Sequence, residues 1–116
     1  MSWNRQNTIA LAVTGASGSA YALRLLQQLL AAEQRVWMML SDAARIVMEM
    51  EVGISLPESI EEAEVELAKR YGAKQGQLSL YGRNDWMAPV ASGSAVPRAM
   101  VVCPCSMGTL SAIAYG

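Results

Sequence analysis

The segment from Thr8 to Gly18 constrains the fold of this chain more than any other part of its sequence. It reads TIALAVTGASG, in which a run of aliphatic and small residues leads directly into a glycine-containing turn. Such a run predicts a buried parallel strand at 8–13, and the amphipathic pattern at 19–32 predicts a helix. The first amides of a helix lack intrahelical partners and lie at the positive end of its dipole. We therefore expect this junction to bind an anion such as phosphate.

The remaining sequence continues this alternation of strands and helices. Apolar runs predict further strands at 35–40, 77–81 and 99–102, and helical periodicity with capping residues predicts helices at 43–50, 59–71 and 107–115. This order favours a doubly wound α/β sheet. Because the last helix should lead to another parallel strand, we expect residues 1–116 to be the amino-terminal portion of one longer α/β domain, incomplete at its carboxyl end.

Composition excludes several kinds of chemistry. The 116 residues contain no histidine and carry a net charge of -1, so Ser-His-Asp triads, Cys-His dyads and His-ligated zinc are not available to them. Cys103 and Cys105 flank one proline, which matches neither a redox pair nor a zinc motif, and we interpret them as reduced thiols. Without a basic patch or a spanning apolar segment, we expect no nucleic-acid or membrane partner and a cytoplasmic location.

Three of the predicted strands end where a helix begins. Ligands of open α/β sheets bind at the carboxyl ends of the strands, so these junctions should converge. Hydroxyl groups occur at all three, with Ser17 at the first, Ser41 at the second, and Ser106 and Thr109 at the third. Each serine alone could simply cap its own helix. Together they favour a phosphorylated ligand.

A mononucleotide suits these junctions better than a dinucleotide. The fingerprint G-x-G-x-x-G is not matched, because Gly15 and Gly18 are three positions apart, and no Walker A lysine is present. Asp42 lies one position late for the usual ribose-binding acid. Flavin mononucleotide (FMN) would also find apolar and aromatic surface near Trp86 and Met87 in the predicted loop 82–94.

Five motifs together resemble the UbiX-type flavin prenyltransferases over residues 8–116. They are TGASG at 14–18, SDAA at 41–44, NDWMAP at 84–89, SGS at 92–94 and CPCSMGTL at 103–110. The resemblance implies a flavodoxin-like or Rossmann-like, three-layer fold that binds reduced FMN and dimethylallyl phosphate without a metal. It implies joining of the dimethylallyl group to N5 and C6 of the flavin. The prenylated FMN would serve UbiD-type decarboxylases, as in ubiquinone biosynthesis, and the enzyme would be a homo-oligomer, a dodecamer in this family.

The resemblance also assigns roles to individual residues. It implies that FMN binds at the three junctions, through Gly15, Ala16, Ser17, Ser41, Ser106, Met107, Gly108 and Thr109. The prenyl phosphate would lie beside Ser92, Gly93 and Ser94. The catalytic candidates are Ser17 near the reacting edge of the flavin, Trp86 facing the allylic group, and Glu51 as the acidic residue. Trp86 could instead be a hydrophobic plug, Glu51 a solvated helix end, and Glu49 is the neighbouring alternative carboxylate.

The family places further phosphate ligands, a tyrosine and an acid-base glutamate in a carboxyl-terminal half that these residues do not include. We therefore expect residues 1–116 alone to bind FMN weakly at most and not to catalyse prenyl transfer. Two alternatives remain open. One is an FMN-dependent cysteine decarboxylase, whose third junction carries an asparagine motif in place of Cys105-Ser106 and which needs a histidine; the other is a non-catalytic flavin- or nucleotide-binding module.

Overall fold

A computed structural model describes residues 3–15, 18–82 and 97–103 of this chain. Within these ranges the helices are α1 (Ser19–Ala31), α2 (Asp42–Val52) and α3 (Ile60–Tyr71), preceded by a short 3₁₀ turn at Arg5–Asn7. The strands in the same ranges are β1 (Thr8–Val13), β2 (Arg35–Leu40), β3 (Leu78–Tyr81) and β4 (Ala99–Cys103). The predicted helix at 107–115 lies outside the described residues. Among the described helices, none is long and apolar enough to cross a membrane.

The four described strands form one parallel sheet in the order β3-β2-β1-β4. β1 lies at its centre, with Leu11 paired to Met38 of β2 on one side and to Val101 of β4 on the other. The chain therefore builds the sheet outward from β1 in one direction and then returns to its other side. This reversal is the topological switch point of a doubly wound sheet, and it confirms the predicted flavodoxin-like or Rossmann-like α/β class.

One face of the sheet packs against all three described helices. Its buried strand residues are Leu11, Val13, Val36, Met38, Leu40, Leu78 and Leu80. The helices contribute Ala22, Leu23, Leu26, Leu30, Ala44, Met48, Ala63 and Leu67. The helical residues recur at spacings of three and four, which is the period that places them on one side of each helix. The amphipathic patterns of the sequence thus define a single core.

Serine caps and glycine stops set the limits of α2 and α3. The hydroxyls of Ser41 and Ser59 accept hydrogen bonds from backbone amides three residues later, at 3.1 and 3.4 Å. Both helices end at a glycine in the left-handed region, Gly53 with φ 70° and Gly72 with φ 71°. A backbone hydrogen bond and the Ser59 hydroxyl lower the pKa of Glu61, so its carboxylate complements the amino terminus of α3.

Several predicted boundaries differ from the structure by one or two residues. Because Ser41 is the cap, α2 begins at Asp42 rather than Ala43, and it continues to Val52 rather than Met50. The first helix ends one residue earlier than predicted. The prediction that the cysteine-proline motif stops β4 at residue 102 is also wrong, because Cys103 still pairs with Val13 of β1.

The prediction that β3 begins at Gln77 is wrong, because this residue is a buried connector in the turn before the strand. Its side chain is 1% exposed. Its amide nitrogen Nε2 donates to the carbonyls of Leu30 and Gln34, each at 2.9 Å, and its Oε1 accepts from the amide of Lys74 at 2.9 Å. Its own carbonyl accepts from Val36 at 2.7 Å. Gln77 therefore joins the end of α1 to the starts of β2 and β3.

The carboxyl end of β1 lies directly against the first turn of α2. A Cβ atom placed on Gly15 would lie 2.8 Å from the Cβ of Ala43, closer than side-chain carbons approach one another. Glycine at this position is therefore required by close approach. The contact brings the turn after β1 beside the turn after β2.

We expect Gln77→Ala to lower the free energy of unfolding by about 2–4 kcal/mol, because it removes three side-chain hydrogen bonds from a buried position. Urea denaturation measures the change. Gln75→Ala is the matched control, since Gln75 is exposed two residues earlier, and we expect it to stay within about 0.5 kcal/mol of wild type. Equal effects of the two substitutions would contradict this role of Gln77.

We expect Gly15→Ala to destabilise the protein by about 1–3 kcal/mol, because the added methyl group overlaps Ala43. Removing the opposing methyl group should relieve the overlap. A double-mutant cycle with Ala43→Gly, followed by urea denaturation, should therefore give a favourable coupling of about 1–2 kcal/mol. Simple additivity of the two substitutions would show that the contact does not limit this turn.

Candidate functional site

A hollow of about 370 Å³ opens at the carboxyl edge of the sheet. It lies where β1 and β2 end and where β3 passes into the next segment. The residues that line it are Ala12, Val13, Thr14, Gly15, Met39, Leu40, Ser41 and Gly82. This is the side of an open α/β sheet on which ligands bind, next to the switch point. The hollow is therefore the candidate functional site.

Ser41 supplies a hydroxyl group to the wall of this hollow. Its Oγ accepts the amide proton of Ala44, so the oxygen is held in place by the first turn of α2. A serine hydroxyl also has one proton to donate, and within the described part of the chain that proton has no acceptor. Ser41 can therefore cap α2 and donate to a bound ligand at the same time.

Gly15 reaches the hollow from the other strand. Its approach to Ala43 holds the turn after β1 against α2, which places Gly15 and Ser41 on one wall. The other six lining residues come from the strand ends, and sequence reasoning did not assign any of them to the site: Ala12, Val13, Thr14, Met39, Leu40 and Gly82. Each of them is one of the last two residues of a strand or the first residue after it, and this position is the signal that could have identified them.

Glu51 meets the first junction from the last turn of α2. One carboxylate oxygen, Oε1, accepts hydrogen bonds from the backbone amides of Gly18 and Ser19, both at 2.9 Å. These amides begin α1, which has Gly18 as its N-cap and no side-chain cap of its own. Glu51 is exposed, but it is bonded across to α1 and is not simply a solvated helix end. Among the described residues, Glu49 makes no such contact, so Glu51 is the carboxylate at the junction.

Carboxylates lie at the starts of both α1 and α2, although neither lines the hollow. Glu51 lies at the start of α1, and Asp42 is exposed in the first turn of α2. Among the described residues, no lysine or arginine lines the hollow. The described walls therefore offer apolar surface, backbone groups and the hydroxyls of Thr14 and Ser41, and they offer no cation to a phosphate group.

Of the predicted site residues, the structure describes Gly15, Ser41 and Glu51. It brings Gly15 and Ser41 together at the hollow and places Glu51 at the adjoining helix start. The others lie outside the described residues: Ala16, Ser17, Trp86, Ser92, Gly93, Ser94, Ser106, Met107, Gly108 and Thr109. Convergence of Ser17, Ser41 and Ser106 on one site therefore stays a prediction.

Known proteins match this chain along almost all of its length. Residues 2–116 match the model of the family described as Flavoprotein. The chain is 51% identical to the flavin prenyltransferase UbiX of Pseudomonas aeruginosa over 108 aligned residues. The aligned region covers 93% of this chain and 52% of that protein. The chain thus spans about half the length of the curated relatives it matches.

Solved structures show the same relationship. The crystal structure of AnUbiX (PadA1) in complex with FMN and dimethylallyl pyrophosphate superimposes with a TM-score of 0.69 at 29% identity, over 95% of this chain and 51% of that one. A dodecameric FMN-dependent UbiX-like decarboxylase from Escherichia coli O157:H7 gives a TM-score of 0.66 at 27% identity, over 91% of this chain and 51% of that one. The chain therefore belongs to the flavoprotein family, and its resemblance to the UbiX-type flavin prenyltransferases is confirmed.

Proposed function

We propose that this chain provides the flavin-binding part of a flavin prenyltransferase. The enzyme would join the dimethylallyl group of dimethylallyl phosphate to N5 and C6 of reduced FMN. The observation that carries the proposal is the hollow at the carboxyl edge of β1 and β2, in a chain whose relative of 51% identity is a flavin prenyltransferase. The structure of AnUbiX with both FMN and a dimethylallyl compound supports the same substrate pair.

The described residues fit a flavin. A volume of about 370 Å³ is within the range of roughly 300–1,000 Å³ that is usual for small-molecule pockets. The apolar strand ends suit the faces of an isoalloxazine ring, and the Ser41 hydroxyl can donate to one of its polar atoms or to the ribityl chain. We propose that Gly15, Ala16, Ser17 and Ser41 hold FMN, together with residues 106–109.

The remaining roles follow the same proposal. Bound reduced FMN would supply the electron-rich atoms N5 and C6. When a prenyl carbon joins N5, phosphate would leave with the electron pair of its C–O bond and N5 would lose its proton. When a second prenyl carbon joins C6, the prenyl double bond would be consumed, with C6 losing a proton and the neighbouring prenyl carbon gaining one. Residues 92–94 would hold the prenyl phosphate, and Trp86 would offer its π face to positive charge developing on the allylic carbons. Ser17 would lie near the reacting edge of the flavin. No metal takes part in this scheme.

The partners are proposed from the relatives. The UbiX-like neighbour from Escherichia coli is dodecameric, and we propose a homo-oligomer, a dodecamer, for the protein containing this chain. Its product would pass to a UbiD-type decarboxylase in the cytoplasm. A second candidate function is FMN-dependent decarboxylation, which the name of that same neighbour favours.

Incubation of the full-length protein with reduced FMN and dimethylallyl phosphate, without oxygen, tests the reaction. We expect mass spectrometry to show a flavin that is heavier by one C5 unit. Dimethylallyl pyrophosphate is tested in parallel as the prenyl donor, because the AnUbiX structure contains that compound. The control omits the prenyl donor. Carbon dioxide release from a cysteine-containing substrate, without any prenylated flavin, would instead support the decarboxylase.

We expect Ser41→Ala to weaken FMN binding by about three- to tenfold, because one hydrogen-bond donor is lost from the hollow. It should also lower the free energy of unfolding by about 1 kcal/mol through loss of the α2 cap. Ser59→Ala is the matched control, since it removes the equivalent cap of α3 and does not line the hollow. Flavin fluorescence titration measures the affinities, and equal affinities in the two variants would contradict the role of Ser41.

A further inference from the structure

A side chain of α3 lies on the outer edge of β3, the end strand of the described sheet. We infer that this side chain, Glu64, closes the edge to any further strand. The partner that it keeps away is the same edge of a second copy of this chain. The inference concerns strand pairing and does not depend on the proposed flavin function.

The outer edge of β3 presents backbone groups that β2 does not use. In the described sheet, β3 pairs with β2 on one side only. The carbonyl of Gln77 faces β2, because it accepts from the amide of Val36 at 2.7 Å. Backbone groups of successive residues in a strand point to opposite edges, so those of Leu78 and Leu80 face away from β2. An edge of this kind is a template for pairing with another chain.

Glu64 accepts the hydrogen bond that a further strand would need. Its carboxylate oxygen Oε2 accepts from the amide of Leu80 at 3.0 Å. Leu80 is buried and Glu64 is half-buried, and hydrogen bonds to an ionised acceptor are stronger than those between neutral groups. A strand arriving at this edge would have to displace the carboxylate from the amide or bury it without a counter-charge. Both are costly.

The position of Glu64 in α3 supports this role. Core-facing positions of α3 recur at spacings of three and four residues, at 60, 63, 64, 67, 68 and 71. Glu64 is the charged residue among them, and neither ion pair of the described residues involves it. Inward-pointing charges at a sheet edge are a known means of preventing edge-to-edge association. The other five positions carry residues that lie in or against the core: Ile60, Ala63, Leu67, Ala68 and Tyr71.

The segment beside Glu64 is suited to pairing with itself. Residues 77–81 read QLSLY, with no charge and no proline, a composition that favours strand association. In a two-fold antiparallel pair, Leu78 of one copy would exchange hydrogen bonds with Leu80 of the other. The two Ser79 residues would then face each other at the centre. Because both Leu80 amides take part in this pair, Glu64 blocks it at two symmetric positions.

Analytical ultracentrifugation of the full-length protein tests the closure. We expect Glu64→Ala to associate beyond the wild-type oligomer at concentrations on the order of tenfold lower than wild type, because the Leu80 amide is left without its acceptor. Glu64→Gln keeps an acceptor oxygen and should stay near wild type. Glu62→Ala is the matched control, since it removes an equal charge from an exposed position of the same helix, and its mass should be that of wild type. A wild-type mass for Glu64→Ala at every concentration would overturn the inference.

Hydrogen exchange and cross-linking locate the edge. We expect the Leu80 amide to exchange about tenfold more slowly in wild type than in dilute Glu64→Ala. Adding Ser79→Cys to Glu64→Ala should give a disulfide between copies in air, because facing residues of such a pair lie within the span of a disulfide. Ser79→Cys with Glu64 in place is the control and should not cross-link. A Leu80 amide that exchanges in wild type as fast as in an unstructured peptide would overturn the inference, and this result does not require any variant to fold.

Discussion

The placement of β1 between β2 and β4 decides where the rest of this structure can lie. Both edges of the strand are paired, and Thr8, Ala10 and Leu11 are fully buried. Its backbone groups are therefore satisfied without solvent, and its carboxyl end is fixed at the switch point of the sheet. Any segment that follows Val13 must emerge at the hollow. The position of the candidate site is thus a consequence of strand order.

A strand that leads through glycines into a helix does not by itself make a phosphate site. The pattern at 14–18 guarantees amides without intrahelical partners, and such amides need an acceptor. In this chain the acceptor is an internal carboxylate, Glu51. The sequence motif therefore indicates that these amides need a hydrogen-bond acceptor, preferably a negatively charged one. Only the tertiary structure shows whether a ligand or a side chain is that acceptor.

The same distinction explains what could be predicted from the sequence. The bounds of β1 and β2 and the caps of α2 and α3 follow from local chemistry: apolar runs, Ser41 and Ser59 accepting from amides three residues on, and Gly72 adopting a positive φ. The role of Gln77 could not be predicted, because the carbonyls that its side chain contacts lie 43 and 47 positions away in the sequence. The contact of Glu51 with α1 likewise spans the two helices. Interactions at such separations leave no periodic trace in the sequence.

The two described junctions satisfy their helix-start amides with groups of the protein itself. The first presents amides that Glu51 occupies, and the second presents the Ser41 hydroxyl beside the negative charge of Asp42. Beside these helix starts, the described lining of the hollow consists of apolar strand ends with the hydroxyls of Thr14 and Ser41, a surface suited to a flat ring. Because internal groups already accept from the amides of Gly18, Ser19 and Ala44, the strand ends form the described surface that remains open at this edge of the sheet.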